Sequence, residues 1–132
     1  PHILNMSPPI SLKSKWFENF TAYTIAKFGM SMCVIGMSAE YKKYNIAVNA
    51  LWPKTAIDTA AIRMLGGVVR PEQCRKVDIL ADASFFVLRR DSNKFTGKFY
   101  IDEEVLAEEG ITDLEKYSVK TGEKLFTDLY LD

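Results

Sequence analysis

Two short apolar segments with a long helical pattern between them constrain the fold of this chain most strongly. Residues 46–51 are nearly all apolar, which is typical of a strand that is covered on both faces of its sheet. Residues 2–6 have the pattern of a second short buried strand. Between them, residues 20–43 carry small and apolar side chains at three- and four-residue spacing, which predicts an amphipathic helix.

The rest of the chain continues the alternation of helices and strands. Residues 55–66 predict a short helix, residues 71–90 a long helix that opens at a proline, and residues 95–101 a third strand. The order strand, helix, strand, helix, strand is typical of an α/β fold with a parallel sheet covered by helices. We expect one domain over residues 1–111, and an extended tail or linker over residues 112–132.

Composition excludes several classes of protein. The 132 residues include 17 basic and 17 acidic side chains, a balance that argues against nucleic-acid binding. No apolar stretch approaches the roughly 20 residues of a membrane span. The single histidine, His2, cannot supply a metal site that needs several histidine ligands. Cys33 and Cys74 are expected to be buried free thiols in a reducing compartment. The acidic residues of 103–109 are expected to form a solvated helix face rather than a metal site.

The start of the chain leads to two further expectations. Pro1 enters a strand pattern at once, so we expect a fragment or a processed product. The first residues also lack the basic start and long apolar run of a secretory signal, so we expect a protein that is not secreted.

Tyr23 and Lys27 are the residues that most directly suggest chemistry. Four residues apart on a helix, they lie on one face, just after the first predicted strand. A phenol is a poor acid or base at neutral pH, and a nearby ammonium group favours the phenolate and lowers its pKa. The pair could therefore move a proton at a carbonyl and anchor a nucleotide. The alternative is an interfacial tyrosine and a solvated lysine on a surface helix.

The surrounding motifs resemble the short-chain dehydrogenase/reductase family. Asn5-Met-Ser7 ends a strand, Tyr23-Thr-Ile-Ala-Lys27 opens a helix, and Asn49-Ala-Leu-Trp-Pro53 ends the next strand, with Thr55 and Thr59 soon after. This order of four elements is far more specific than any one of them. The resemblance implies the C-terminal half of a Rossmann-like, doubly wound parallel sheet, with three strands and helices on the faces.

The resemblance also implies roles for individual residues. Tyr23 would be the catalytic acid and base, Lys27 would hold the nicotinamide ribose and lower the pKa of Tyr23, and Ser7 would bind the substrate oxygen. Residues 56–70 would form a mobile cover over the substrate. The residues implied to contact the coenzyme are Tyr23, Lys27, Pro53, Thr55, Ile57 and Thr59.

The activity implied by this resemblance is NADP- or NAD-dependent interconversion of a carbonyl and an alcohol, on a lipid-like substrate. A homo-oligomer and a peroxisomal or mitochondrial location are implied in the same way. The family's Gly-x-x-x-Gly-x-Gly turn, which binds the dinucleotide, does not occur in the sequence. We therefore expect the parent protein to supply that half, and this chain alone to be inactive.

Two positions depart from the family pattern and leave an alternative open. Pro8 stands where many members have a second serine, and Lys54 stands where the family has glycine. Both departures favour the alternative that the chain belongs to a catalytically degenerate member, which acts as a lipid-binding or interaction module.

Overall fold

The predicted strands form one parallel sheet with the order β1–β2–β3 in the computed structural model, which describes residues 1–64 and 66–131. The strands are β1 (His2–Met6), β2 (Ala47–Trp52) and β3 (Phe99–Ile101). Every residue of β2 is buried, as its apolar sequence predicts. The predicted α/β fold with three strands is therefore confirmed.

The register of β1 and β2 brings their carboxyl ends to the same edge of the sheet. The parallel pairing runs from His2 opposite Ala47 to Met6 opposite Leu51. Side chains that follow the two strands therefore begin at the same edge, where α/β proteins usually bind their ligands.

Helix α1 (Thr21–Tyr41) covers β1 and β2 within this part of the chain. It ends in a 3₁₀ turn, followed by Asn45 in the left-handed conformation (φ 59°). Its Val34 packs against Val48 and Ala50 of β2, and all three are fully buried. The predicted helix is thus confirmed to within two residues at each end.

The other helices are α2 (Ala60–Met64), α3 (Asp78–Arg89) and α4 (Asp102–Glu108). The prediction that α3 begins at Pro71 was wrong. Only a 3₁₀ turn forms at Pro71–Gln73, and the residues from there to Val77 are not helical.

Backbone pairing explains this extended stretch before α3. The N–H of Arg75 donates to the carbonyl of Ala56 at 2.9 Å, and the N–H of Asp58 donates to the carbonyl of Arg75 at 2.9 Å. Because these bonds link distant segments, they override the local signal of a proline at a helix start.

The C-terminal segment, residues 112–131, pairs with earlier parts of the chain through its backbone. Tyr117 and Tyr130 are buried. The N–H of Lys76 donates to the carbonyl of Tyr117 at 2.7 Å, and the N–H of Val119 donates to the carbonyl of Cys74 at 3.1 Å. Leu65 in the predicted cover and Asp132 in the predicted tail lie outside the described residues.

The described chain divides into two units. Residues 1–52 and 87–100 form the first, with β1, α1 and β2. Residues 53–86 and 101–131 form the second, with α2, α4 and most of α3. Its buried cluster contains Ala56, Val69 and Cys74.

The two cysteines differ in exposure. Cys74 is buried, as expected, but Cys33 is exposed in the described chain. The expectation for Cys33 was wrong because α1 buries the neighbouring position, Val34, against the sheet and directs Cys33 elsewhere. Among the described helices, none has the length and apolar character that crossing a membrane requires.

Candidate active site

Helix α1 is fixed to the carboxyl end of β1 by hydrogen bonds from its side chains. Lys27 Nζ donates to the carbonyl of Met6 at 3.2 Å, and Ser31 Oγ donates to the carbonyl of Pro8 at 2.6 Å. Lys27 and Ser31 are one helical turn apart, so both bonds arise from the same face of the helix. These contacts set the position of the first turns of α1 relative to the end of the strand.

The ammonium group of Lys27 lies close to two aromatic rings at this edge of the sheet. Its Nζ is 5.9 Å from the centre of the Tyr23 ring and 5.3 Å from the centre of the Trp52 ring. Both distances are within the range of cation–π attraction. Because Met6 ends β1 and Trp52 ends β2, the cation lies where both strands end. The structure therefore brings Tyr23 and Lys27 together at the position that the sequence predicts.

Exposure separates the two aromatic residues of this group. The Tyr23 side chain is 46% exposed, whereas Trp52 is only 6% exposed and forms a buried wall beside Lys27. A phenol that is open to solvent on one side can exchange a proton with a bound molecule. This arrangement can carry general acid–base chemistry at a carbonyl or hydroxyl group.

The structure places Ser7 inside the described chain rather than at its surface. The residue is fully buried, and within residues 1–64 and 66–131 its Oγ has no hydrogen-bond partner. Its N–H donates to the carbonyl of Asn5 at 3.0 Å, and the Asn5 amide donates to the carbonyl of Met30 at 3.3 Å. A buried hydroxyl without a partner costs about 1–3 kcal/mol. The role of Ser7 at a substrate oxygen stays a prediction.

Asn49 has a structural role that the sequence analysis missed. Its side-chain amide donates to the carbonyl of Phe95 at 2.9 Å and accepts from the N–H of Lys98 at 2.9 Å. These bonds fix the segment that leads into β3. The signal available in the sequence was a single polar residue within an otherwise apolar strand, which must find buried partners.

The segment Pro53–Thr59 lies in the second unit and carries Thr55 and Thr59, which the resemblance implies as coenzyme contacts. Thr59 Oγ1 accepts from the N–H of Ile62 at 3.5 Å, so this hydroxyl caps α2. Thr55 is 8% exposed, and its Oγ1 has no partner in the described part of the chain. A hydroxyl has one donor and two acceptor positions, so Thr59, which is partly exposed, can still bind a ligand, whereas Oγ1 of Thr55 is buried.

The backbone of this segment is held from two directions. The N–H of Lys54 donates to Asp102 Oδ1 at 2.8 Å, and the carbonyl of Lys54 accepts from the N–H of Asp128 at 3.1 Å. Two residues later, the N–H of Ala56 donates to the carbonyl of Phe126 at 2.8 Å. Lys54 does not have a positive φ, so a side chain is tolerated where the family has glycine.

Asp102 is the buried carboxyl group of the second unit. It is fully buried, and its Oδ1 also accepts from the N–H of Glu103 at 2.7 Å. Burial raises its pKa from 3.8 to about 6, while the hydrogen bonds from the Lys54 and Glu103 backbones oppose that rise. Sequence patterning missed Asp102 because it is the first residue of an acidic run that looks solvated.

The prediction that the acidic residues form a solvated helix face was wrong for Glu103. Its carboxylate forms an ion pair with Arg75 at 2.9 Å, and the Arg75 guanidinium also donates to the carbonyl of Leu114 at 2.7 Å. The other acidic residues of the cluster, Glu104, Glu108 and Glu109, are exposed as expected. Within residues 1–64 and 66–131, no group of three or more acidic, cysteine or histidine side chains could hold a metal ion.

Sequence comparison identifies close relatives of the chain. No protein-family model matches it. Hydroxysteroid dehydrogenase-like protein 2 of Danio rerio is 57% identical over 132 residues, which are 100% of this chain and 31% of that protein. The protein of the same name from Homo sapiens is 56% identical over 131 residues, 99% of this chain and 31% of that protein. The chain thus spans about a third of the length of these curated relatives.

Structural comparison identifies neighbours with the same fold over the whole chain. A crystal structure of a protein from Xanthomonas campestris that is described as a dehydrogenase matches with a TM-score of 0.95 and 48% identity. A short-chain dehydrogenase from Mycobacterium thermoresistibile matches with a TM-score of 0.88 and 43% identity. Each match covers 100% of this chain, and 48% and 47% respectively of the neighbour. The resemblance to short-chain dehydrogenases is therefore confirmed in both sequence and fold.

Proposed function

We propose that this chain, a homologue of the short-chain dehydrogenases, is the catalytic part of a nicotinamide-dependent oxidoreductase that interconverts a carbonyl and an alcohol. The observation that carries the proposal is the position of the Lys27 ammonium group. Its Nζ lies 5.9 Å from the centre of the Tyr23 ring and donates a hydrogen bond to the carbonyl of Met6, at the end of β1. The names of the relatives support a lipid-like substrate.

Tyr23 and Lys27 have separate roles in this proposal. When bound, a reduced nicotinamide supplies a hydride to the carbonyl carbon. Tyr23 donates its phenolic proton to the carbonyl oxygen, which becomes the hydroxyl of the alcohol, and it takes that proton back in the reverse direction. Lys27 would stabilise the resulting phenolate and would help to hold the coenzyme through its ribose.

The segment Pro53–Thr59 is proposed to contact the carboxamide of the nicotinamide. Thr59 is the more accessible hydroxyl for this role, because it is partly exposed and its bond to the N–H of Ile62 uses only one acceptor position, while Oγ1 of Thr55 is buried. Pro53 and Ile57 are buried and would contribute apolar contacts beside it. The proposal covers both NADP and NAD.

A homo-oligomer is proposed from the outer face of α1. Ile25, Met32 and Ile35 are exposed apolar side chains of this helix in the described chain. We expect light scattering of the full-length protein to show a dimer or larger assembly, and a monomer would contradict this part of the proposal. A peroxisomal or mitochondrial location is also proposed, and cell fractionation would test it.

Coenzyme binding and turnover by the full-length protein test the proposed function. NADPH and NADH are titrated by fluorescence, and their oxidation is followed with a panel of lipid ketones. Tyr23→Phe should keep coenzyme binding and lower turnover by about 100-fold or more, because it removes only the transferable proton.

Tyr44→Phe is the matched control, because Tyr44 is also an exposed tyrosine next to a lysine. Lys43 Nζ lies 4.9 Å from the centre of its ring, on the 3₁₀ turn before β2 rather than at the end of a strand. This variant should keep full turnover. A wild type that binds no coenzyme would favour the lipid-binding alternative, and a Tyr23→Phe variant with full turnover would refute the role of Tyr23.

A further inference from the structure

Residues 126–128 run along the segment that we assign to the coenzyme. Thr127 forms an antiparallel bridge with Thr55. Its two neighbours form the hydrogen bonds on either side, from the N–H of Asp128 to the carbonyl of Lys54 and from the N–H of Ala56 to the carbonyl of Phe126. Residues 54–56 are therefore paired along their backbone with a segment about 70 positions later in the sequence.

The same three residues are also fixed from other directions within the second unit. The Asp102 carboxylate accepts from the N–H of Lys54 at 2.8 Å, and the carbonyl of Ala56 accepts from the N–H of Arg75 at 2.9 Å. All four backbone polar groups of Lys54 and Ala56 thus have partners. Groups satisfied in this way give the segment one conformation, since moving it would break several buried hydrogen bonds.

We propose that Asp102 and the backbone of residues 126–128 are positioning elements for the coenzyme, because they fix the backbone of Lys54–Ala56 within the segment Pro53–Thr59 that we assign to the nicotinamide. This inference rests on the proposed function. It assigns to the C-terminal segment a part in coenzyme affinity, although its side chains need not touch the coenzyme. A ligand-binding segment held in its bound conformation loses less entropy on binding.

Asp128→Pro tests the C-terminal contact, because proline has no N–H to donate to Lys54. Thr127 is extended in its bridge, which is the conformation that a following proline favours. Asp128→Ala is the matched variant, since it loses the same carboxylate and keeps the N–H. Asp102→Ala and Asp102→Asn form a second pair, in which only asparagine keeps an acceptor for the N–H of Lys54.

Two measurements on the full-length protein separate positioning from general destabilisation. Hydrogen exchange without coenzyme should become faster in residues 54–58 of Asp128→Pro than of Asp128→Ala, while residues 47–52 exchange as in the wild type. The Kd for NADPH should rise about five- to tenfold in Asp128→Pro relative to Asp128→Ala, and in Asp102→Ala relative to Asp102→Asn.

Tyr117→Phe serves as the control for stability. It removes the hydrogen bond of 2.6 Å that the Tyr117 hydroxyl donates to Asp82 within the second unit. The Kd for NADPH should stay unchanged in this variant. Equal Kd values within both pairs would overturn the inference, as would faster exchange throughout the second unit with no change in Kd. If Asp128→Pro does not fold, the Asp102 pair decides. A wild type without measurable NADPH binding refutes the proposed function itself, which distinguishes the two failures.

Discussion

The buried carboxyl group of Asp102 should make the protein less stable as the pH rises through the weakly acidic range. Its complete burial raises its pKa from 3.8 to about 6, and the charge of nearby Glu103 adds to that rise. The backbone N–H groups of Lys54 and Glu103 oppose it because they stabilise the carboxylate. The Arg75 guanidinium opposes it more weakly.

The folded state therefore holds the Asp102 proton more tightly than the unfolded state between about pH 4 and pH 6. The stabilisation from this proton is fully present below about pH 4 and is lost as the pH rises through 6. A difference of about two pKa units corresponds to roughly 3 kcal/mol of unfolding free energy.

Asp102→Asn is the perturbation that isolates this effect. The amide keeps an acceptor oxygen for the N–H of Lys54 but cannot ionise. We expect urea unfolding to show that the free energy of unfolding of the variant, relative to that of the wild type, rises by up to about 3 kcal/mol between about pH 4 and pH 7.5. Other titrating groups are shared and cancel in the difference. A difference that is constant over this range, or that moves in favour of the wild type, would refute the reasoning.

Three other predictions concern stability and reactivity. Arg75→Met should lower the free energy of unfolding by about 3 kcal/mol in urea, because it leaves the carboxylate of its ion pair partly buried without a partner; a loss near zero would contradict this. Gly97→Ala should destabilise more than Gly122→Ala in thermal melts. Both glycines have a positive φ, but only at Gly97 would a new Cβ lie 3.0 Å from Ser38 Oγ, so equal losses would show that the contact has no cost. Burial raises the pKa of the Cys74 thiol, so thiol reagents at pH 7 should label Cys74 only after unfolding, and mass spectrometry of native protein labelled there would refute its burial.

The strongly patterned parts of the fold were predictable from the sequence. The apolar run of β2 and the periodic spacing of α1 each specify an element locally. The pairing of Tyr23 and Lys27 was also predictable, because residues four positions apart lie on the same face of a helix. Their place near the end of β1 was predictable because α1 follows that strand in the sequence.

The parts that could not be predicted depend on contacts between distant residues. The proline at residue 71 indicated a helix, but Arg75 pairs its backbone with residues 56 and 58 and keeps the chain extended. The burial of Asp102 could not be predicted either, because its partner Lys54 lies 48 positions earlier. Local patterns contain no information on such pairings, which tertiary structure alone determines.

Transfer of a labelled hydride tests the central claim most directly. The full-length protein is given a lipid ketone and NADPH or NADH deuterated at C4 of the nicotinamide, and the product is analysed by mass spectrometry. We expect deuterium on the carbinol carbon with the wild type and with Tyr44→Phe, and almost no labelled alcohol with Tyr23→Phe. Labelled alcohol formed by Tyr23→Phe at the rate of the wild type would contradict the claim that the Tyr23–Lys27 pair carries the proton.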